Sequence, residues 1–215
     1  MFLVFMPIMT ITPQLVNSVV EEKMSRICEV LLGSVTPFEL MMGKLLGAGG
    51  VSVVIAFTYT GAAYGAAAYF GLADVVQAGL LAEFAVFLAL AMLLFGSLYL
   101  AIGSACSTLK DAQSLMGPVM IITIFPMMML APIVKAPDGA FAVAASFFPF
   151  STPYIMLMRA ALNPPAPLWQ VLLSMVTTAA TTVGVVWASG RIFRTGLLMQ
   201  GKAPTFMEML RWVRS

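Results

Sequence analysis

Residues 84–106 read FAVFLALAMLLFGSLYLAIGSAC and contain no charged side chain. A helix that crosses a bilayer needs about 20 mainly apolar residues, because the hydrocarbon core is ~30 Å thick. Four further stretches meet this criterion: residues 2–20, 45–72, 115–134 and 168–190. The sequence therefore predicts an all-α fold, a polytopic membrane helix bundle of about five transmembrane helices that forms a single domain over residues 1–215.

The composition excludes several classes of function. Hydrophobic residues make up 61% of the chain and charged residues 9%, against about 25% charged residues in soluble domains. The 11 basic and 9 acidic residues are too few and too balanced for a nucleic-acid surface, so we expect membrane lipid and no nucleic acid as a partner. Histidine is absent, which excludes HExxH zinc sites and Ser-His-Asp triads. We expect no metal site and no catalytic residue, and we interpret Cys28 and Cys106 as small apolar residues.

Basic residues are distributed unequally between the apolar stretches. Only Lys135 and Arg159 fall on one side of the predicted topology. Nine lie on the other side, in the 21–44 linker, the 107–114 turn and the 191–215 tail: Lys23, Arg26, Lys44, Lys110, Arg191, Arg194, Lys202, Arg211 and Arg214. The positive-inside rule places these three segments in the cytoplasm. We therefore expect a multi-pass protein of the inner (plasma) membrane with its N-terminus outside and its C-terminus in the cytoplasm.

The 21–44 linker combines charged residues with apolar ones. On a helix, Glu22 and Arg26 are four residues apart and Arg26 and Glu29 are three apart, so they can pair along one face. Another face carries the apolar residues Ile27, Val30 and Leu31. This pattern predicts an amphipathic helix at the inner surface of the membrane.

A break follows this helix, because Pro37 disfavours helical backbone at Thr36. Lys44 then begins the next span. The residues alone leave two interpretations open, a solvated helix that anchors the chain at the membrane surface and a lever that contacts another protein.

Residues 135–167 are neither a clean span nor an ordinary loop. Prolines are frequent there, and Arg159 interrupts an apolar run; the prolines are Pro137, Pro149, Pro153, Pro164, Pro165 and Pro167. We predict two short helices that dip into the outer leaflet, a re-entrant hairpin in which Pro149, Pro153 and Arg159 belong to an outer gate. An interfacial helix packed on the bundle is the alternative.

Small residues recur four apart in the second span, as Gly43 with Gly47 and Gly61 with Gly65. Such spacing favours close contact between membrane helices. Packing within one bundle and packing against another subunit both satisfy the pattern.

Residues 21–47, EEKMSRICEVLLGSVTPFELMMGKLLG, closely resemble the first cytoplasmic loop of type-2 ABC exporter permeases, in particular the sodium-efflux branch. Residues 101–118, 148–159 and 191–202 resemble other parts of the same family. The resemblance implies a coupling helix that touches an ATPase subunit. Its predicted coupling residues are Glu21, Glu22, Lys23, Arg26, Glu29, Pro37, Gly43 and Lys44.

The resemblance also implies a function. It predicts the permease subunit of an ATP-driven exporter that moves an ion or a small or lipophilic solute out of the cytoplasm. No Gly-x-x-x-x-Gly-Lys-Ser/Thr loop occurs, so ATP and Mg²⁺ are expected in a partner ATPase. A second permease copy or homologue is expected to complete a dimer. Members of the branch usually carry an earlier helix and a large extracytoplasmic domain, and we expect a missing upstream portion here.

Two other classes of function compete with this one. A secondary transporter or channel without ATP coupling would need charged residues inside the spans to bind the coupling ion, and the five predicted stretches contain none. A membrane enzyme would need paired acids or an activated nucleophile. Glu21 and Glu22 are the one adjacent acidic pair, and adjacent helical side chains point about 100° apart. We therefore expect a transport subunit that is not itself an enzyme.

Overall fold

The computed structural model describes residues 1–69, 71, 78–162, 164–199 and 206–213. Within these ranges the chain is helical and has no strand, which confirms the all-α prediction. The helices are α1 (Phe2–Met24), α2 (Ile27–Leu31), α3 (Pro37–Tyr69), α4 (Ala78–Ala105), α5 (Leu109–Met128), α6 (Leu130–Lys135), α7 (Ala140–Phe147), α8 (Thr152–Ala160), α9 (Leu168–Leu198) and α10 (Phe206–Trp212).

Five segments in the described part of the chain are long and apolar enough to cross a membrane: Phe2–Met24, Pro37–Ala66, Gly79–Ala105, Leu109–Lys135 and Leu168–Leu198. The predicted count of five is confirmed, although each of these segments is longer than the apolar stretch predicted from the sequence. Part of the predicted 45–72 span and the tail residues Lys202 and Arg214 lie outside the described residues.

Helix α4 is the centre of the bundle. The most apolar 18-residue stretch of α4 is 67% buried. The corresponding stretches of Pro37–Ala66, Leu109–Lys135 and Leu168–Leu198 are each 22% buried. It contacts α1, α3, α5, α8 and α9, and its Phe87, Leu94 and Phe95 are completely buried. The other long helices therefore surround α4 and turn their outer faces towards lipid.

Two glycines let neighbouring helices approach α4 closely. A Cβ atom on Gly103 would lie 3.1 Å from the carbonyl oxygen of Val16 on α1. A Cβ atom on Gly196 of α9 would lie 2.8 Å from Ser104 Oγ and 2.9 Å from the backbone nitrogen of Ala105. Backbone contacts as short as these require residues without a side chain.

The glycines of α3 behave differently. A Cβ atom on Gly43, Gly47, Gly61 or Gly65 would meet no atom within 4 Å, and Gly61 and Gly65 are exposed. The prediction that Gly61 and Gly65 pack closely within this bundle is therefore wrong, because this part of α3 lies at the edge of the bundle. Packing of this face against another subunit stays a prediction.

The continuous helix predicted in the 21–44 linker is interrupted. Helix α1 extends to Met24, and Arg26 then takes the left-handed conformation with φ 58°. Its N–H donates to the carbonyl of Lys23, an arrangement that closes the last turn of a helix. The predicted pairing of Glu22 with Arg26 along one helix face is therefore wrong, and the side chain of Glu29 lies outside the described residues.

Helix α3 begins with a capping box and so starts eight residues before the predicted span. The Thr36 N–H donates to Glu39 Oε2 at 2.8 Å, and the Glu39 N–H donates to Thr36 Oγ1 at 3.3 Å. Pro37 occupies the first helical position, where its missing N–H costs nothing. The non-helical backbone at Thr36 confirms the predicted effect of Pro37, and only residues 25–36 remain as a linker.

We expect Gly103→Leu to destabilise the protein by about 1–3 kcal/mol, because the added side chain would push α1 away from α4. Gly117→Leu on α5 is the matched control, since a Cβ atom there meets nothing within 4 Å. Thermal unfolding of the detergent-purified protein measures both. Equal unfolding temperatures for the two variants would contradict the close approach of α1 to Gly103.

Candidate functional site

Three helix ends meet around the side chain of Lys23. This residue lies in the last turn of α1 and is 9% exposed. Its Nζ donates to the carbonyl oxygen of Ser104 at 2.8 Å and to that of Gly196 at 2.6 Å. The C-terminal ends of α1, α4 and α9 are therefore at the same end of the bundle, as the predicted topology requires.

The two carbonyls explain why a lysine is buried there. The last four carbonyls of a helix have no partner within the helix, and Ser104 and Gly196 lie in the last turns of α4 and α9. Both helix ends carry partial negative charge from the macrodipole. An ammonium group has three donors, so Lys23 caps two helices at once.

An ion pair connects α1 to α3. Lys44 Nζ lies 2.6 Å from Glu22 Oε1 and 3.3 Å from Ser18 Oγ. The Lys44 and Glu22 side chains are 15% and 27% exposed, so the pair is shielded from water on most sides. Glu22 thus finds its partner on another helix, one residue before the predicted start of the next span.

The linker between these contacts lies on the surface of the bundle, with Cys28 buried beneath it. We define the linker surface as the exposed residues between Glu21 and Phe38; its members include Glu21, Met24, Arg26, Ile27, Val30, Val35 and Phe38. Val30 is 77% exposed. Charges and exposed apolar side chains together are typical of a surface that binds another protein.

A cleft of about 370 Å³ separates the linker from the start of α3. Its lining residues are Glu22, Leu31, Val35, Glu39, Leu40, Gly43 and Lys44. The structure thus brings Glu22, Gly43 and Lys44 of the predicted coupling set together, places Pro37 at the start of α3 and exposes Arg26. It also adds Glu39, which the sequence reasoning missed although the Thr-Pro-Phe-Glu capping-box signature was visible.

The predicted outer hairpin is a pair of short helices, α7 and α8, which confirms that part of the prediction. Arg159 joins the ends of the hairpin and is 1% exposed. Its Nε donates to Pro137 O at 2.7 Å, its Nη1 to Ser146 Oγ at 2.8 Å and its Nη2 to Asp138 Oδ1 at 3.3 Å. Arg159 therefore holds α8 to the start of the hairpin and to α7.

The turn of the hairpin reaches the middle of α4. The Phe150 ring lies 6.1 Å from the Phe95 ring, and Tyr154 lies 6.0 Å from the same ring. Phe95 is ten residues before Ala105, which corresponds to about 15 Å along α4. Pro149 lies in the turn, and Pro153 is buried in the first turn of α8.

The described residues include no group of three or more His, Cys, Asp or Glu side chains close enough to hold a metal ion. Cys28 and Cys106 are free and buried. Burial raises the pKa of the Cys28 thiol, and the nearby Glu22 carboxylate raises it further.

Comparison with known proteins identifies relatives. The model of a family described as ABC-2 family transporter protein matches residues 1–191. The uncharacterized protein YhaP of Bacillus subtilis is 27% identical over 100% of this chain and 54% of its own length. The uncharacterized protein MJ1024 of Methanocaldococcus jannaschii is 30% identical over 98% of this chain and 51% of its own length. The chain thus spans about half the length of these relatives, and no solved structure matches it significantly.

We expect Cys28 to react slowly with maleimide at pH 8 in the folded protein. Only the thiolate reacts, and a raised pKa keeps the thiol protonated to higher pH. In a Cys106→Ala variant, labelling should be at least tenfold slower than in sodium dodecyl sulfate and should accelerate as the pH rises. Equal rates in the folded and unfolded protein would contradict the burial of Cys28.

Proposed function

The chain belongs to the ABC-2 family of transporter proteins, and we propose that it is the membrane permease of an exporter driven by a separate ATPase subunit. The ATPase binds ATP and Mg²⁺ and hydrolyses the ATP. The permease lies in the plasma membrane with its C-terminus in the cytoplasm. The convergence of α1, α4 and α9 at Lys23 supports this topology, because it brings the basic segments to one end of the bundle.

One observation carries the proposal: an exposed linker is anchored at both ends to the spanning helices. Lys23 anchors it to α4 and α9, and the Glu22–Lys44 pair anchors it to α3. A force applied to residues 25–36 therefore reaches four of the five spanning segments directly. A solvated helix that served only as a membrane anchor would need neither contact.

The mechanism follows from these contacts. Closure of the ATPase dimer pushes the linker surface, with Arg26 and Glu21 in contact with the ATPase. Lys23 is a positioning residue, since it is buried and acts through the carbonyls of Ser104 and Gly196. Because a packed helix moves as a rigid body, the displacement rocks the bundle between inward-open and outward-open states.

The outer hairpin is proposed as the gate that responds. Its turn packs against Phe95 of α4 through Phe150, so a movement of α4 reaches Pro149 and Pro153. Non-helical backbone at membrane depth must be buried in protein or line a water-filled cavity. Ser151 Oγ satisfies the carbonyl of Ala145 at 2.6 Å, which supports a place for this turn inside the membrane.

The exported solute is proposed to be an ion or a small or lipophilic molecule, with sodium suggested by the branch that the 21–47 motif resembles. Ser174, Thr178 and Thr182 form a buried row at four-residue spacing on α9. The hydroxyl oxygens of Thr178 and Thr182 have no hydrogen-bond partner within the described residues. Hydroxyl groups within a membrane span can bond to neighbouring helices or line a route for a solute. A second copy or a homologous permease would complete the pathway as a dimer.

Arg26→Glu should weaken binding of the ATPase subunit at least tenfold, because the side chain is exposed on the linker surface and its reversal places repulsive charge in the interface. Lys135→Glu is the matched control: it also reverses an exposed basic residue, but at the end of α6 on the opposite side. Co-purification with a candidate ABC ATPase subunit from the same organism measures both. Equal loss of binding in the two variants, or none in either, would argue against the docking role.

Lys23→Met should leave the ATPase bound and reduce substrate-stimulated ATP hydrolysis at least tenfold. The substitution removes two charge-assisted hydrogen bonds, each worth about 1.5–3 kcal/mol, and separates the linker from α4 and α9. Lys110→Met, which removes an exposed lysine at the start of α5, is the control and should change neither quantity. Normal stimulation in the Lys23 variant would exclude force transfer through Lys23.

A further inference from the structure

Four hydroxyl groups lie in the interior of the bundle, where the hairpin meets three of the spanning helices. They come from α1, α4, α5 and α8, and their side chains are completely buried: Thr12, Tyr99, Thr123 and Tyr154. Tyr99 is six residues before the end of α4, which places it about 9 Å inside the spanning helix. The hydroxyl cluster, as we call these four residues, is therefore screened from bulk water by protein.

The packing of α1 and α5 on α4 brings three of the hydroxyls together. Val16 of α1 lies against Gly103 of α4, and the two helices run in the same direction. Thr12 and Tyr99 are each four residues earlier, which is about one helical turn. The phenol of Tyr99 accordingly faces the hydroxyl of Thr12, and it also faces the hydroxyl of Thr123 on α5.

The fourth hydroxyl comes from the hairpin. The Tyr154 ring lies 6.0 Å from the ring of Phe95, one turn before Tyr99 on α4, and 6.4 Å from the ring of Phe5 on α1. Its phenol is close enough to the Tyr99 phenol for the two groups to interact electrostatically. The first turn of α8 thus carries a polar group into the centre of the bundle.

The hydrogen bonds of the cluster are incomplete. Thr12 and Thr123 each donate their hydroxyl proton to the carbonyl four residues earlier in the same helix, at 2.7 and 2.8 Å. These two hydroxyls therefore offer only lone pairs to their neighbours. The phenol oxygens of Tyr99 and Tyr154 form no hydrogen bond of ordinary geometry with any described residue. Two unused donors thus lie beside two acceptors.

We propose that the hydroxyl cluster binds one internal water molecule. Water has two protons and two lone pairs, so it can accept from both phenols and donate to both threonine oxygens. Internal waters in proteins form about three such bonds with buried groups that lack other partners. A metal cation would leave the phenol protons without an acceptor, and an anion would face the lone pairs of the threonines. The site exists whether or not the chain is coupled to an ATPase.

The bound water gives the hairpin a directional contact with the bundle. Aromatic packing of Tyr154 against Phe95 and Phe5 tolerates small displacements, whereas a hydrogen bond weakens steeply when its angle changes. A water-mediated bond is nearly as favourable in enthalpy as a direct one. The water therefore fixes the position of α8 relative to α1, the helix whose last turn carries Lys23.

X-ray radiolysis of the detergent-purified protein tests the site, because X-rays convert bound water into hydroxyl radicals that oxidise the adjacent side chains. Mass spectrometry then gives an oxidation rate for each residue. We expect Tyr99 and Tyr154 to be oxidised at least fivefold faster than Phe87 and Phe193, which are equally buried aromatic residues without a hydroxyl group. Rates no faster than those of the two phenylalanines would overturn the proposal, since the phenols would then lie in a dry environment.

Thr123→Val keeps the shape of the side chain and removes one acceptor, so it should lower the oxidation rates of Tyr99 and Tyr154 at least threefold. Thr58→Val is the matched control: it also removes a hydroxyl that donates to the carbonyl four residues earlier at 2.8 Å, but on an exposed part of α3. It should leave both rates unchanged. Thr12→Val repeats the test if Thr123→Val fails to fold, and unchanged tyrosine rates in the folded variant would contradict the site.

Met156 distinguishes a bound water from bulk water that enters an opened hairpin. It is completely buried and lies two residues after Tyr154, on the other side of α8. Methionine is readily oxidised, so water that entered from outside would modify it together with Tyr154. We expect Met156 to be oxidised at least fivefold more slowly than Tyr154. Equal rates for these two residues would overturn the proposal.

Discussion

The ammonium group of Lys23 and the two helix-end carbonyls around it form the contact on which the arrangement of the bundle depends. Burial of a charge is costly unless the charge is paired and hydrogen-bonded, and unpaired carbonyls at buried helix ends carry a similar cost. The contact lowers both costs, since Nζ donates to Ser104 O and to Gly196 O, and the latter also accepts the Met199 N–H at 3.3 Å. The contact also requires that α4 and α9 touch through backbone atoms, which is why residue 196 is glycine.

The bundle has a closely packed side and an open side. Helices α1, α4 and α9 form the closely packed side, with backbone approach at Gly103 and Gly196. The hairpin of α7 and α8 belongs to it, because Arg159 closes the hairpin and Phe150 rests on Phe95. Helix α3 forms the open side, where it is held at its first turns by Lys44 and is partly separated from α4 by an apolar groove. The linker of residues 25–36 thus connects the closely packed side to the open side.

Hydropathy alone predicted the number of spans, because water-free surroundings leave a helix few alternatives. The helix boundaries could not be read in this way. Lys23 and Lys44 look like residues that end a span, yet each bonds to a group on another helix that is distant in sequence. Local rules performed better where the partners were close in the chain, as with Pro37 and the capping box at Thr36. The glycine pattern at Gly61 and Gly65 did not predict contacts within this bundle, because spacing alone does not show which helix, if any, lies opposite.

The same distinction applies to the candidate site. The charges of residues 21–44 indicated its position after the first span. Which of these charges are buried and which are exposed depends on tertiary contacts. Arg26 is exposed because α1 ends in a left-handed residue, and Glu22 turns to Lys44 because that ending removes its partner on the same face. A single backbone conformation at Arg26 therefore separates the charges that hold the bundle from the charges that face outward. Transmission of a force through the linker needs both kinds of charge. An exposed surface without contacts to the bundle would move independently of the helices, and contacts without an exposed surface would leave no place for a partner to bind.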